Sequence, residues 1–280
     1  MKVSPVIFVI TLLGIAPVFA QHRIITAGSA ITESVCALGD CDKIIASDRT
    51  SLYPSHIQSL PSIGYRGGIS AEGIISLKPT LVIAEKDYVD AATLEQLAAT
   101  GIALLIVEQT YDFAGTRALI TKIGSVLSRA EEAKALIAAN EKHLAEAKVL
   151  LHQITRRPRV LCVYNRGTET VSIAGDNSFG NILDYAGVQR VPAGVSGYKT
   201  LNAEALIAAN PDYLVMTSTG FQSMGGLEGV LRLPGVALTN AGRQRQVVPI
   251  ESLRLTNFGP RFGETVKELV LSLHPELLAK

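Results

Sequence analysis

Short continuous apolar runs alternate along this chain with apolar stripes at helical spacing, and one combination of the two occurs twice. Residues Ser70 to Ala84 read SAEGIISLKPTLVIA, and Asn202 to Met216 read NAEALIAANPDYLVM. Each opens on Ala-Glu, continues as a helical stripe and breaks at a proline seven residues after the glutamate. Each then ends in an apolar run of the length expected for a strand buried on both faces. A tyrosine precedes each unit: Tyr65 stands seven residues before Glu72, and Tyr198 six before Glu204. The duplication predicts two similar half-molecules around a cleft, each placing a Tyr-bearing loop ahead of a short helix and a buried strand.

The same alternation organises the rest. Arg23 to Thr26 begins a strand, Gly28-Ser29 turns it into a helix to about Leu38, and Gly39 stops that helix. Lys43 to Ser47 reads as a strand, Ala91 to Thr100 as a helix and Ala103 to Val107 as a strand. In the second half Val160 to Tyr164, Val171 to Ala174 and Gln246 to Pro249 predict strands, and Ser178 to Ala186 and Leu227 to Arg232 predict helices. Alternation at these lengths predicts an α/β fold of two Rossmann-like lobes with mainly parallel sheets. Between them, Ser128 and Glu131 have the form of a capping box. The helix that it starts, Arg129 to about Gln153, carries Ala133, Leu136, Ile137, Leu144, Ala147 and Leu151 at helical spacing. One helix of about 37 Å would cross one side of both lobes and restrain them to small opening and closing motions. The expected division is an N-terminal lobe at residues 21–115, connecting helices including the long one at 116–157, and a C-terminal lobe at 158–280.

Residues 1–20, MKVSPVIFVITLLGIAPVFA, combine an early lysine, an apolar run too short to span a bilayer comfortably, and a small-residue ending. They read as a cleavable signal peptide, with a mature chain that starts near Gln21, carries no cysteine there for a lipid anchor, and is secreted, monomeric and not membrane-embedded. Loss of Lys2 brings the 26 basic residues level with the 25 acidic ones. The basic run Arg156-Arg157-Pro158-Arg159 lies where a helix should end, a place that favours cations anyway, so nucleic acid is not an expected partner. Cys36 and Cys41 flank Gly39, and their spacing leaves open a small disulfide loop or two half-buried thiols. Cys162, in RVLCVY, reads as a core residue.

Taken in order, the signal peptide, the strand-turn-helix AGSAITESVCALG, the segment IGYRGGISAEGIISLKPTLVIA, the long helix and the repeated unit resemble the helical-backbone class of periplasmic solute-binding proteins. These deliver ligands to ABC importers. Three stretches are similar to the haem-binding branch of that class: Gly64-Tyr65 ahead of Ser70-Ala71-Glu72-Gly73, LEGVLRLPGVALTNAGR from Leu227 to Arg243, and Phe258-Gly259-Pro260-Arg261. The resemblance implies a non-enzymatic periplasmic protein that binds ferric haem b in the cleft and passes it to an inner-membrane ABC permease dimer. It implies Tyr65 as axial ligand of the haem iron. The branch carries an arginine two residues after that tyrosine, whereas here Arg66 follows at once and Gly67-Gly68 come next. Glu72 and Glu204 are implied as the acidic pair that docks on permease arginines; taken alone, each is a carboxylate favoured at a helix start.

The chemistry suits those assignments. Ferric iron is a hard cation and a phenolate a hard anionic donor. A free phenol ionises near pH 10, so iron or a neighbouring cation such as Arg66 must favour the phenolate. Gly64, Gly67 and Gly68 allow a tight turn and close approach of a flat macrocycle. On residue chemistry alone, Tyr65 reads better as a loop aromatic that packs or stacks, and it is the resemblance that turns the reading to iron ligation. Tyr198 is expected to stack or hydrogen-bond from the other lobe, Arg66 and Arg261 to meet the propionates, and Met224 to touch the porphyrin face. Arg254 and Lys199 read as solvated charges. Histidines at 22, 56, 143, 152 and 274 are too scattered for a divalent-metal cluster and leave the second lobe's body without one; some relatives in the haem-binding branch hold a second haem with a second-lobe histidine, so the resemblance implies one haem per chain here. The rival ligands on the same fold are cobalamin and a ferric siderophore. A secreted α/β hydrolase using Ser29 or Cys36 is the rival from another class, although no Gly-x-Ser-x-Gly elbow occurs.

Overall fold

The computed structural model describes residues 22–166 and 170–278, so the expected signal peptide lies outside the described residues. The N-terminal sheet joins β1 (Ile24–Ala27), β2 (Ile44–Ser47), β3 (Leu81–Glu85) and β4 (Ala103–Val107), all parallel, in the order β2-β1-β3-β4. Its helices are α1 (Ser29–Ala37), α2 (Ala71–Ser76), α3 (Ala91–Ala98) and α4 (Phe113–Val126). Side chains alternate across a strand, so Ile24 and Ile83 enter the core beneath α1 and α4, while Ile25 and Val82 enter the one beneath α2 and α3. Burial on both faces is why these strands read as unbroken apolar runs.

The second sheet holds β5 (Arg159–Arg166), β6 (Thr170–Ala174), β7 (Gln189–Arg190), β8 (Tyr198–Thr200), β9 (Tyr213–Thr217) and β10 (Val247–Ile250). Its order is β10-β9-β5-β6-β8, with β7 beside β5. This sheet is mixed within the expected mainly parallel plan: β10-β9, β9-β5 and β5-β7 pair parallel, while β6 runs antiparallel to β5 and β8 antiparallel to β6. The reason is chain length. A parallel crossover needs a dozen or more residues, and only three separate β5 from β6. The helices of this half are α6 (Ser178–Asn181), α7 (Ala203–Ala209), α8 (Ser218–Ser223), α9 (Gly226–Leu231), α10 (Asn240–Arg243), α11 (Ser252–Thr256) and α12 (Phe262–Leu273), and α5 (Ala130–Leu151) connects the halves.

Helix α5 has 22 residues, a length of about 33 Å. Ala133, Leu136 and Ile137 pack into the N-terminal core, while Leu144, Ala147, Leu150 and Leu151 pack into the C-terminal one. Ser128 does not cap it. With so short a connection after α4, Ser128 is taken up in closing that helix, at φ 57°, and Arg129 becomes the N-cap without a side-chain bond. The Arg129 guanidinium pairs instead with Asp40 at 2.7 Å and Glu132 at 3.0 Å.

A second connection crosses between the lobes at Asn257–Arg261. Asn257 donates to Glu33 of α1 at 3.1 Å, and Arg261 pairs with the other oxygen of that carboxylate. The carbonyls of Asn257 and Phe258 accept from Gln109, and Asn140 of α5 donates to the Pro260 carbonyl at 2.8 Å and accepts the Gly263 N–H at 2.7 Å. Cys36 and Cys41 form a disulfide, and Cys162 is free and buried, burial pushing its thiol well up.

Candidate ligand-binding site

Ligands of parallel α/β sheets bind beyond the carboxyl ends of the strands, and each strand of the N-terminal sheet delivers residues there. Ser29 follows β1, Arg49 follows β2, Glu85 ends β3 with Tyr88 just beyond, and Gln109 and Tyr111 follow β4. Tyr164 of β5, Tyr198 of β8 and Asn257 face them from the other lobe. The cleft so formed has a volume of about 620 Å³, within the range of small-molecule and cofactor sites.

The loop carrying Tyr65 is shaped by its glycines. Gly64 takes φ 105°, and a Cβ there would stand 3.2 Å from the Gly68 carbonyl oxygen. Its own carbonyl accepts the Arg49 N–H at 2.8 Å, and the Gly68 N–H closes the next turn on the Tyr65 carbonyl at 3.0 Å. Arg66 sits inside that turn at φ 42°, a left-handed conformation that costs a non-glycine residue about 1–2 kcal/mol. The turn sets its guanidinium 4.6 Å from the Tyr88 ring centre and 5.8 Å from that of Tyr65, both within cation–π range. Burial works against the Arg66 charge, but Tyr88, Tyr65 and Glu85 outweigh it and hold the group above its usual range. Tyr65 is 44% exposed. An accessible phenol with a cation beside its ring is therefore presented to the cleft.

Glu85, Tyr88 and Tyr111 complete this wall. Burial raises Glu85 from 4.5 to about 6; Arg66 opposes the shift, and Asp48 and Asp87 add to it. Burial likewise pushes the phenols of Tyr88 and Tyr111 up. Asp48 is the organiser beneath: Oδ1 accepts from the Gly28 N–H at 3.0 Å and from Ser51 at 2.7 Å, and Oδ2 from the Thr50 N–H at 2.9 Å.

The structure brings Tyr65, Arg66 and Tyr198 together in the cleft and leaves Arg261 and Met224 out of its lining. Tyr198 begins an edge strand instead of lying in a loop, and its ring rests 4.7 Å from that of Tyr164. Arg261 lies outside that lining. Its guanidinium pairs with Glu33, lies 3.2 Å from Glu251 and stacks 4.1 Å from the Tyr53 ring centre, so its charge is taken up in the interlobe connection. Met224 caps α8 and packs with Phe221 and Leu231 in the C-terminal core. Arg49, Glu85, Tyr88, Tyr111 and Tyr164 were not singled out from sequence, yet the strand-end rule points to them once the strands are known.

Neither hydrolase candidate presents a nucleophile–base pair: Ser29 donates to Asn257 Oδ1 at 2.7 Å, and Cys36 is held in the disulfide. Glu72 and Glu204 occupy matching first-turn positions, both exposed, while Ser70 and Asn202 provide the helix caps.

A family model described as periplasmic binding protein matches residues 24–252 of this chain. The chain belongs to that family. As a periplasmic binding protein it is similar to the periplasmic heme-binding protein RhuT from Roseiflexus sp. RS-1 in apo form, at 34% identity and a TM-score of 0.85 over 92% of this chain and 99% of that one. It is similar also to the periplasmic heme-binding protein BhuT in complex with two hemes, at 31% identity and a TM-score of 0.84 over 91% and 99% of the two chains. An uncharacterized ABC transporter substrate-binding lipoprotein of Bacillus subtilis, YvrC, is 24% identical over 258 residues, 91% of this periplasmic binding protein and 80% of that one. Among the described residues, no helix is long and apolar enough to cross a membrane.

Proposed function

We propose that this chain, exported by its signal peptide, captures one ferric haem b in the periplasm, in the cleft between its lobes, and hands it to an inner-membrane ABC permease dimer without catalysing a reaction. The observation that carries this reading is Tyr65: an exposed phenol on a glycine-shaped turn at the cleft wall, with the Arg66 guanidinium 5.8 Å from its ring. A phenolate oxygen suits ferric iron. Arg66 and Arg49 line the cleft and replace Arg261 as partners for the two propionates. Tyr198, ring to ring with Tyr164, offers an aromatic surface from the other lobe, so release needs only one iron–oxygen bond to break. Glu72 and Glu204 dock on the permease, and the chain works as a monomer. Among the described residues no histidine lines the cleft, in keeping with one haem per chain.

Titration of the purified apo protein with hemin tests the reading. Wild type is expected to saturate at one equivalent with a ferric-phenolate spectrum, and Tyr65→Ala to lose that spectrum and at least about tenfold in affinity. Absence of stoichiometric binding by wild type, or saturation by cyanocobalamin instead, would overturn the haem assignment; unchanged binding by Tyr65→Ala would overturn the ligand alone.

A further inference from the structure

The disulfide between Cys36 and Cys41 spans five residues, and the turn that it closes is held without it. Helix α1 ends on backbone bonds: the Gly39 N–H donates to the Cys36 carbonyl at 3.0 Å and the Asp40 N–H to the Val35 carbonyl at 3.2 Å, with Gly39 at φ 89°. Asp40, fully buried, then pairs with Lys43 at 2.9 Å and Arg129 at 2.7 Å. The constraint that a disulfide places on the unfolded chain grows with the loop it closes. A short bridge over a turn already fastened adds little as a staple.

The two sulfurs have unequal surroundings. Cys36 lies in the last turn of α1, where the negative end of the helix disfavours a thiolate. Cys41 Sγ lies 3.2 Å from Nε2 of His56. A disulfide sulfur carries no hydrogen, so in this contact the imidazole is the donor. Its position is built into the fold: His56 sits in the turn Ser55–Ser59, and the next residue, Ile57, is 1% exposed in the core against which Cys36 and Cys41 also pack. Both cysteines are half-buried and His56 is exposed, so a thiol can reach the bridge from solvent.

We infer that the Cys36–Cys41 bridge is a thiol–disulfide exchange site, with His56 as proton donor to the departing Cys41 sulfur and a dithiol as the reacting partner. A thiolate of the dithiol attacks Cys36 Sγ; the S–S bond breaks, its electron pair stays on Cys41 Sγ, and that sulfur takes the proton from His56 Nε2. The second thiolate of the dithiol attacks the mixed disulfide, and Cys36 leaves and takes a proton from water. The partner is thereby oxidised to its own disulfide, and the bridge gains two electrons and two protons. The sulfur whose thiolate is better stabilised leaves faster, which is why the one beside the imidazole departs. Because the fastened turn keeps the two cysteines side by side, the reverse exchange with an oxidised dithiol closes the bridge again without refolding.

The test mixes the purified, oxidised and folded chain with dithiothreitol or with glutathione, quenches at early times, alkylates, and maps the adducts by peptide mass. Dithiothreitol is expected to free two thiols beyond the buried Cys162 while circular dichroism shows the chain still folded, and glutathione is expected on Cys36. His56→Ala and His56→Gln should each slow the opening at least about tenfold. Glutamine fills the position and donates a hydrogen bond but has no proton to give up, so it separates proton donation from packing. Opening only in denaturant, glutathione on Cys41, or either variant opening at the wild-type rate overturns the inference. None of these outcomes depends on haem, so failure of the haem reading leaves the exchange site standing.

Discussion

Arg66, between Tyr65 and Gly67, occupies a left-handed backbone position that would suit a glycine better, and the guanidinium beside Tyr65 and Tyr88 explains its presence. Arg66→Gly is expected to leave thermal stability nearly unchanged, since relief of about 1 kcal/mol of strain is offset by glycine's larger unfolded-state entropy. Hemin affinity should fall about tenfold, the worth of one charge-assisted contact, as read by titration. Glu85 shows the converse cost of a charged group in a cleft wall. Its folded-state value of about 6 exceeds the ordinary 4.5, so the folded form binds the proton more tightly across that window and stability falls as pH rises through it. Glu85→Gln should therefore gain up to about 2 kcal/mol at pH 7.5 and nothing at pH 4, measured as the urea midpoint at each pH. An equal gain at both would mean packing, not titration. The turn that carries Tyr65 was legible in the sequence because glycines punctuate its loop. Glu85 and Tyr88 were not, because nothing local distinguishes a strand-end residue that lines a cleft from one that meets solvent.

At the scale of elements, the segment Asn257–Arg261 holds the lobes together. Glu33 is 3% exposed, and burial raises its carboxyl even though Arg261 and Asn257 pull it back. Glu33→Ala would strand the Arg261 guanidinium in a half-buried site, at an expected cost of about 3 kcal/mol, read as a lowered urea midpoint. No change there would mean that Arg261 simply turns to Glu251 and solvent. The strands of the parallel sheet and the long helix were readable from period and length, with ends shifted by a few residues. The Ser128 cap and the Tyr198 loop were not: the first gave way to closure of the helix before it, and the second to pairing of Ala174 with Tyr198 in the sheet. Both outcomes depend on neighbours that a local pattern does not contain.

For the whole molecule, α5 packs into both cores, and Asn140, Gln109 and Glu33 fasten the 257–263 stretch across the cleft floor. Two such connections oppose a wide hinge. Hemin binding should change the radius of gyration by less than about 1 Å in solution scattering; a contraction of several Å would show that the connections yield. The sequence by itself determined the two-lobed α/β plan, the repeated tyrosine and Ala-Glu units and the glycine-shaped turn at Tyr65, because period, proline breaks and glycine act locally. Only the tertiary structure decided that Arg261 pairs across the interlobe connection, that Met224 packs against a core, and that Arg49, Glu85, Tyr88, Tyr111 and Tyr164 meet at one cleft. Those residues come from separate strands and both lobes, and their partners are chosen by the packing of the sheets.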